Sequence, residues 1–204
     1  MGSLRAFCRF AAVAEVVGPE SVLTAAERSR RDRLVTPEDR AAYIAAHLLV
    51  RDCAAQLLGV AAADVELRQR CGRCGSEEHG APYVPGSLLP LHVSLSHSRG
   101  YVAAVASRVP CGIDIEVVHR GDPPAASLSA REVAWVNAQP AQGDAFTRLW
   151  TRKEALVKAG VAELADLAQL DVLGDDGPAD RIAGLVLQEW SDGLAVGACA
   201  LGVC

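Results

Sequence analysis

The chain contains 204 residues, half of them hydrophobic, and carries a formal net charge of −5. This length supplies enough apolar surface for one large domain or for two small domains packed together. No run of some 18 apolar residues occurs, so no membrane span is predicted. The acidic balance and an aromatic content of 4% argue against nucleic-acid binding, which uses a basic face or a stacking platform. The seven cysteines, without a recognisable secretory signal, predict free thiols in the cytoplasm.

The first half of the sequence predicts helices beside short strands. Thr36 has the properties of an N-cap, because Pro37 follows it at the first helical position and acids fill the first turn. The helix that it opens ends before Gly59. In chain order we predict a strand over 4–17, a helix over 21–33, a helix from 36 to 58, a short strand over 65–67 and a loop over 71–90.

The second half continues with strands and two further helices. Ser129 and Glu132 form a capping-box pattern at the start of the first helix, and Gly160 ends the second. We predict strands over 91–95, 101–107 and 111–117, a loop over 119–127, a helix from 129, a helix over 144–159, and strands near 170–172, 181–188 and 194–200. Helices beside antiparallel strands in each half indicate the α+β class.

Asp114 and Glu116 lie two residues apart on a predicted strand. Because side chains alternate along a strand, both carboxylates leave the same face while Ile113 and Ile115 face the core. Such a pair has two explanations. It belongs to a solvated strand edge, or it supplies two oxygen ligands to Mg²⁺, with Glu154 on a later helix as the third.

The helix over 144–159 places charged side chains in unusual positions. Only two of the 20 basic residues are lysines, Lys153 and Lys158. Lys153 falls in the middle of the apolar stripe and Glu154 on its flank. One explanation is a lysine that extends to solvent beside an ordinary Glu154–Lys158 pair. The other is an acid between two lysines that holds a metal ion or acts as a base next to a bound phosphate. The stripe comprises Phe146, Leu149, Trp150, Leu156 and Val157.

The segment Ser-Leu-Ser-His-Ser at 94–98 closes a predicted strand with hydroxyls and an imidazole. Ser96 and His97 have the chemistry to hold a phosphate through short hydrogen bonds, and the alternative is turn chemistry with a half-buried histidine. A nucleophilic Ser–His pair is excluded, because adjacent residues on a strand point apart and no G-x-S-x-G motif is present.

Cys71, Cys74 and His79 supply three candidate zinc ligands within nine residues. A structural zinc site normally uses four ligands, so free thiols or a reversible disulfide are alternatives.

Four arginines lie close together at the end of the predicted helix over 21–33. They form either a solvated face or a surface for a phosphate or an acidic partner. They are Arg28, Arg30, Arg31 and Arg33.

Three segments together resemble the signature of 4′-phosphopantetheinyl transferases, in the single-chain branch that activates surfactin synthetase. They are Ser-Leu-Ser-His-Ser at 94–98, Gly-Ile-Asp-Ile-Glu at 112–116 and Trp-Thr-Arg-Lys-Glu-Ala-Leu-Val-Lys at 150–158. Their order and spacing agree with the family, and the resemblance extends from about residue 20 to the C-terminus. The combination of the second and third segments is highly specific.

The resemblance implies two similar α+β halves, 1–100 and 101–204, around a pseudo-two-fold axis, with coenzyme A in the cleft between them. It implies Mg²⁺-dependent transfer of 4′-phosphopantetheine from coenzyme A to a serine of an apo acyl or peptidyl carrier protein, leaving 3′,5′-ADP. Because both halves lie in one chain, a monomer is sufficient.

The resemblance also implies residue roles. Asp114, Glu116 and Glu154 would ligate Mg²⁺, and Glu154 would act as the base, directly or through a water on the ion. Lys158 would contact the diphosphate and steady the leaving 3′,5′-ADP. The expected coenzyme A contacts are Ser96 and His97 on the 3′-phosphate, together with Arg30, Arg51, Lys153 and Lys158.

Two departures from the family pattern leave rival functions open. Gly80-Ala81-Pro82 lacks the charged residue that the family has at its centre, and the glycine-rich segment after the helix is reduced to Gly160-Val-Ala-Glu-Leu164. A non-catalytic protein that binds coenzyme A or a carrier is therefore one rival. The other is a small zinc-stabilised interaction module built on Cys71, Cys74 and His79.

Overall fold

The computed structural model describes residues 6–87, 89–121 and 127–203. Helices and antiparallel strands are both present, which confirms the α+β class. The strands are β1 (Ala6–Ala12), β2 (Arg68–Arg70), β3 (Ala81–Tyr83), β4 (His92–Ser98), β5 (Tyr101–Ser107), β6 (Cys111–Val117), β7 (Arg181–Ile182), β8 (Leu185–Ser191) and β9 (Ala195–Gly202). The helices are α1 (Ala25–Arg33), α2 (Pro37–Leu58), α3 (Ala130–Asn137) and α4 (Gln142–Lys158).

The first sheet has the strand order β1-β5-β4, with all pairs antiparallel. Helix α2 packs against this sheet through a buried apolar face that includes Leu49, Val50 and Cys53. Small residues of β5 such as Ala104 lie directly beneath the helix and are fully buried. Their size lets the helix lie close to the strands, since no large side chain separates the two layers.

The second large sheet has the order β6-β9-β8-β7, again antiparallel. Helix α4 covers it, and Phe146, Leu149 and Leu156 of the predicted apolar stripe are buried in the shared core. A third apolar cluster lies between the two sheets and contains Ile113 and Ile115, both fully buried. Strand β6 therefore has one face in this central cluster, as its alternation predicts, and the other face toward α4.

The helix boundaries show which local signals were sufficient. Thr36 caps α2 by accepting a hydrogen bond from Asp39 N at 3.0 Å, and Gly59 ends the helix with a φ of 72°. Ser129 and Glu132 form the predicted capping box of α3. Helix α1 begins at Ala25 rather than at residue 21, because Thr24 caps it in a capping box with Glu27.

Some strand predictions were wrong. The strand predicted over 4–17 ends at Ala12, and Val13–Glu15 forms a 3₁₀ turn, so within the described part of that range only β1 is strand. Residues 65–67 precede β2 instead of forming a strand, and β3 lies inside the predicted loop over 71–90. Residues 170–172 form no strand, and the nearest pairing is an isolated bridge between Leu173 and Pro178. Part of the loop predicted over 119–127 lies outside the described residues.

Strand β5 pairs with β1 and β4 in the first sheet. The division expected after residue 100 would therefore separate β5 from its own sheet, and we propose the segment 108–110 as the boundary between the halves. Among the described residues, no helix combines the length and apolarity that crossing a membrane requires.

Candidate functional site

The site is positioned by a close approach between β6 and α4. Gly112 lies where a Cβ atom would come within 2.0 Å of Ala155 O and 2.5 Å of Ala159 N. Only a residue without a side chain permits this backbone contact. The contact places Asp114 and Glu116, the next residues on the same face of β6, beside the last turns of α4, which carry Glu154 and Lys158.

Lys158 links the helix to the strand through an ion pair. Its Nζ lies 2.7 Å from Asp114 Oδ1, and 29% of the lysine side chain is accessible to solvent. The carboxylate of Asp114 is almost fully buried. The lysine therefore neutralises one charge while it retains an exposed side that can meet an anionic ligand.

Serines of β4 hold the carboxylates of Asp114 and Glu116 through hydrogen bonds. Ser96 Oγ donates to Asp114 Oδ1 at 2.7 Å, and Ser98 Oγ donates to Glu116 Oε2 at 2.5 Å. Ser94 Oγ accepts a hydrogen bond from Ile113 N at 3.2 Å. The three hydroxyls, two residues apart, thus connect an edge strand of the first sheet to an edge strand of the second. We call Ser94, Ser96 and Ser98 the serine ladder.

The carboxylates carry unbalanced negative charge. Burial raises the pKa of Glu154, the nearby charge of Asp114 raises it further, and Lys158 opposes the effect. Burial likewise raises the pKa of Glu116, against the hydrogen bond from Ser98. Three acids beside one ammonium leave an excess of negative charge in a partly desolvated place, which favours a bound cation.

One oxygen of the site has no partner in the protein. Asp114 Oδ2 is buried and makes no hydrogen bond. A buried carboxylate oxygen without a donor is costly, since it has given up water without replacement. Asp114, Glu116 and Glu154 offer only oxygen atoms as ligands. A buried oxygen without a partner beside two further carboxylates suits a hard divalent cation such as Mg²⁺. The oxygens of Asp114, Glu116 and Glu154 do not all lie within 4.8 Å of one another, a spacing that only the Cys71, Cys74 and His79 group meets among the described residues. These three side chains would therefore have to move closer together to bind the same ion.

Comparison with known proteins agrees with this geometry. A model of the 4′-phosphopantetheinyl transferase superfamily matches residues 110–195, the part of the chain that contains all four charged residues of the site. A 4′-phosphopantetheinyl transferase of Bacillus subtilis is 30% identical over 163 residues, which cover 77% of this chain and 69% of the relative. The chain belongs to the 4′-phosphopantetheinyl transferase superfamily. A second 4′-phosphopantetheinyl transferase, gsp of Aneurinibacillus migulanus, is 30% identical over 131 residues, covering 62% of this chain and 51% of the relative.

Two other side chains predicted for the transferase site, Arg30 and His97, both lie near Tyr43. Arg30 donates to the carbonyls of Glu77 and Glu78, both at 2.6 Å. His97 is exposed, and its ring meets Tyr43 edge-on with centroids 6.5 Å apart. A cavity of about 220 Å³ opens beside Arg30. Ser96, by contrast, points away from His97 and binds Asp114, so its hydroxyl supports the acidic site.

Two residues predicted to contact coenzyme A lie inside the protein. Arg51 is 1% exposed and binds Glu27 through both terminal nitrogens, at 2.9 and 2.6 Å. Lys153 is fully buried, with its Nζ 2.5 Å from Glu132 Oε2 and 2.6 Å from Leu167 O. Neither side chain is exposed to solvent. We therefore propose structural roles for both in place of the predicted ligand contacts.

The arginines of the α1 cluster each make a contact within the protein. Besides Arg30, Arg28 donates to Leu23 O, and Arg31 pairs with Glu20 at 2.7 Å. Arg33 donates to Ser29 Oγ at 3.4 Å. Each of these guanidinium groups has an acceptor within the protein and still carries further N–H donors. A surface for a phosphate or an acidic partner therefore stays a prediction.

The candidate zinc ligands converge as predicted. The ligand atoms of Cys71, Cys74 and His79 all lie within 4.8 Å of one another. The nearby backbone N–H groups of Cys74 and Arg73 lower the pKa of the Cys71 thiol to about 7. Thiolate is the form that binds metal.

The role of Ser94 and Ser98 was missed by sequence reasoning. The signal was present, since the two serines flank Ser96 at a period of two and so share its face. What the sequence did not show is that this face of β4 would meet β6, because the two strands belong to different sheets.

Proposed function

We propose that this chain transfers the 4′-phosphopantetheine arm of coenzyme A to a serine hydroxyl of an apo carrier protein and releases 3′,5′-ADP. The observation that carries the proposal is the acidic site on β6 and α4, in which a buried, partnerless oxygen of Asp114 lies beside Glu116, Glu154 and Lys158. Membership of the superfamily supports the same reaction.

Asp114, Glu116 and Glu154 would hold a Mg²⁺ ion. When bound, the ion supplies positive charge to the diphosphate of coenzyme A and so makes the phosphorus easier to attack. The serine ladder orients two of these carboxylates, as hydrogen-bond partners behind metal ligands do. Ser96 and Ser98 are therefore positioning residues of the proposed site.

Glu154 is suited to accept the proton of the carrier serine. Its raised pKa brings it closer to the working pH, where a general base is most effective. The serine oxygen forms a bond to the phosphorus that carries pantetheine, and the bond from that phosphorus to the phosphate oxygen of 3′,5′-ADP breaks. The serine proton passes to Glu154, and the exposed side of Lys158 meets the negative charge that develops on the leaving phosphate.

The nucleotide end of coenzyme A would lie toward the first half of the chain. His97 is exposed on β4, the strand that also carries Ser96, and Arg30 borders a cavity lined by residues of the first half. An imidazole and a guanidinium are suitable partners for the 3′-phosphate. Because Ala81 is uncharged, these two side chains are the proposed phosphate contacts on this side of the site.

The carrier and the setting belong to the same proposal. The acceptor is an acyl or peptidyl carrier domain, and the enzyme acts as a monomer in the cytoplasm. The six cysteines among the described residues are free, which supports a reducing compartment.

The decisive experiment is a transfer assay with coenzyme A, Mg²⁺ and a panel of apo carrier proteins, read by intact-protein mass spectrometry. We expect the mass of one phosphopantetheine arm to be added to a carrier. Glu154→Gln should lose about 100-fold or more of kcat/KM, whereas Glu163→Gln, which changes an exposed acid that is not among the proposed ligands, should retain it. Calorimetric binding of coenzyme A without transfer to any carrier would instead support the rival, non-catalytic binding protein. Full activity of Glu154→Gln would contradict the proposed roles.

A further inference from the structure

A second convergent side-chain group lies outside the acidic site, in the loop between β2 and β3. Cys74 Sγ is 3.4 Å from His79 Nε2, and the ligand atoms of Cys71, Cys74 and His79 all lie within 4.8 Å of one another. Two sulfurs and one imidazole nitrogen at this spacing can share one ion of tetrahedral geometry.

The backbone of the loop supports this arrangement. Cys71 N donates to Ser76 O, and Gly75 N donates to Cys71 O, each at 2.9 Å. Gly75 adopts a φ of 73°, which closes a tight turn directly after Cys74. The backbone N–H groups of Arg73 and Cys74 lie near the Cys71 sulfur and favour its thiolate form. Donors to sulfur of this kind stabilise a metal-bound thiolate and fix its orientation.

Gly80 brings the histidine back to the cysteines. Its φ is 110°, and a Cβ there would come within 2.3 Å of Arg70 O. The backbone after His79 therefore passes directly against the backbone before Cys71, which a larger residue would prevent. The two ends of the loop are held together at the point where the three side chains meet.

We propose that Cys71, Cys74 and His79 bind a structural Zn²⁺ ion through two thiolates and an imidazole nitrogen. Soft sulfur ligands together with imidazole select zinc over Mg²⁺ and Ca²⁺, which prefer oxygen. No fourth His, Cys, Asp or Glu joins the group within the part of the chain that the structure describes. Three protein ligands leave the fourth position of the tetrahedron open to a water molecule or to another small ligand.

The zinc ion cross-links a hairpin that is too small to be stable alone. Strands β2 and β3 form only three residue pairs, and isolated two-stranded hairpins are marginal in water. The same loop supplies the carbonyls of Glu77 and Glu78 that bind Arg30. Zinc thus fixes the wall of the cavity beside Arg30. We expect this wall to favour coenzyme A binding, an expectation that rests on the proposed function. The metal site itself is independent of that function.

The test measures metal directly. Protein purified without chelators is analysed for zinc by inductively coupled plasma mass spectrometry, and the apo protein is titrated with Co²⁺ and then with Zn²⁺. We expect one zinc per chain, and intense visible absorption of tetrahedral Co²⁺–thiolate that Zn²⁺ removes. Cys74→Ser and His79→Gln should weaken zinc binding at least about 100-fold. His92→Gln, which changes another exposed histidine, should bind normally.

Three results would overturn the site. They are a zinc-free protein whose apo form gives no Co²⁺–thiolate absorption, undiminished zinc affinity in both ligand variants, and a native protein that is two hydrogens lighter because Cys71 and Cys74 form a disulfide. Wild-type titrations decide the question even if a variant folds poorly. Stoichiometric zinc in a protein without transferase activity would refute the proposed function and support the zinc site. Transferase activity in a protein that binds no zinc would support the proposed function and refute the zinc site.

Discussion

Replacing Gly112 by alanine tests the geometry on which the acidic site depends. The new Cβ would lie 2.0 Å from Ala155 O and 2.5 Å from Ala159 N. Ordinary contact begins near 3.4 Å. The backbones of β6 and α4 would therefore have to separate by about 1.4 Å, the kind of shift that an overpacked core forces. Both partners are backbone atoms, and no rotamer change relieves the clash. The separation would stretch the 2.7 Å pair between Asp114 and Lys158.

The expected cost of Gly112→Ala is about 3 kcal/mol, the upper part of the range for overpacked sites. For a chain of this size that lowers Tm by about 6–12 °C. A displacement of about 1 Å between catalytic groups lowers kcat/KM by about 100-fold. Differential scanning fluorimetry and the transfer assay measure the two effects. Gly174→Ala is the matched control, because its Cβ would meet the nearest atom at an ordinary 3.5 Å. Wild-type Tm and kcat/KM in Gly112→Ala would refute the close-approach explanation.

Three further substitutions test other parts of the structure. Ser96→Ala removes the hydroxyl that holds Asp114 and should weaken Mg²⁺ binding about 10–100-fold in calorimetric titrations. Lys153→Met leaves the buried Glu132 unpaired and should cost about 3–5 kcal/mol in urea unfolding, with coenzyme A affinity unchanged. Glu27→Gln should remove the free energy of unfolding that the wild type gains as the pH rises from 2 to 4.5. Burial alone would raise the pKa of Glu27, but hydrogen bonds from His47, Arg51 and the Thr24 N–H lower it from 4.5 to about 2.

The sign of the Glu27 effect follows from its lowered pKa. The carboxylate stabilises the folded state fully above pH 4.5, and this contribution disappears as the pH falls toward 2. The depression corresponds to roughly 3 kcal/mol. A wild-type stability that stays flat across this window would contradict it. The control for Ser96→Ala is Ser94→Ala, which should leave Mg²⁺ affinity unchanged. The control for Lys153→Met is the double variant with Glu132→Gln, which should recover part of the lost stability. Loss of coenzyme A binding in that double variant would restore the ligand role predicted for Lys153.

The sequence was sufficient for features that depend on local pattern. The alternation around Asp114 and Glu116 predicted which face each side chain would take, and the buried Ile113 and Ile115 confirm it. The caps of α2 and α3 were also recognisable, because a cap involves residues only a few positions apart. The function followed from motif spacing, which the comparisons support.

Features that depend on distant contacts were not predictable in this way. Lys153 was recognised as a lysine within an apolar stripe, but its partner Glu132 lies on another helix and was assigned only to a capping box. In the structure Glu132 pairs with Lys153 and also completes the capping box, since it accepts a hydrogen bond from Ser129 N at 2.7 Å. Arg51 was similarly assigned to a ligand because nothing near it in sequence identifies Glu27, 24 residues earlier, as its partner.

The claim that three carboxylates share one divalent cation is tested most directly by a crystal structure with coenzyme A and Mn²⁺ in place of Mg²⁺. We expect one anomalous difference peak in contact with oxygens of Asp114, Glu116 and Glu154, at about 2.0–2.2 Å, with the diphosphate completing its coordination. A peak bound by none or only one of these carboxylates, with the diphosphate elsewhere, would contradict the account.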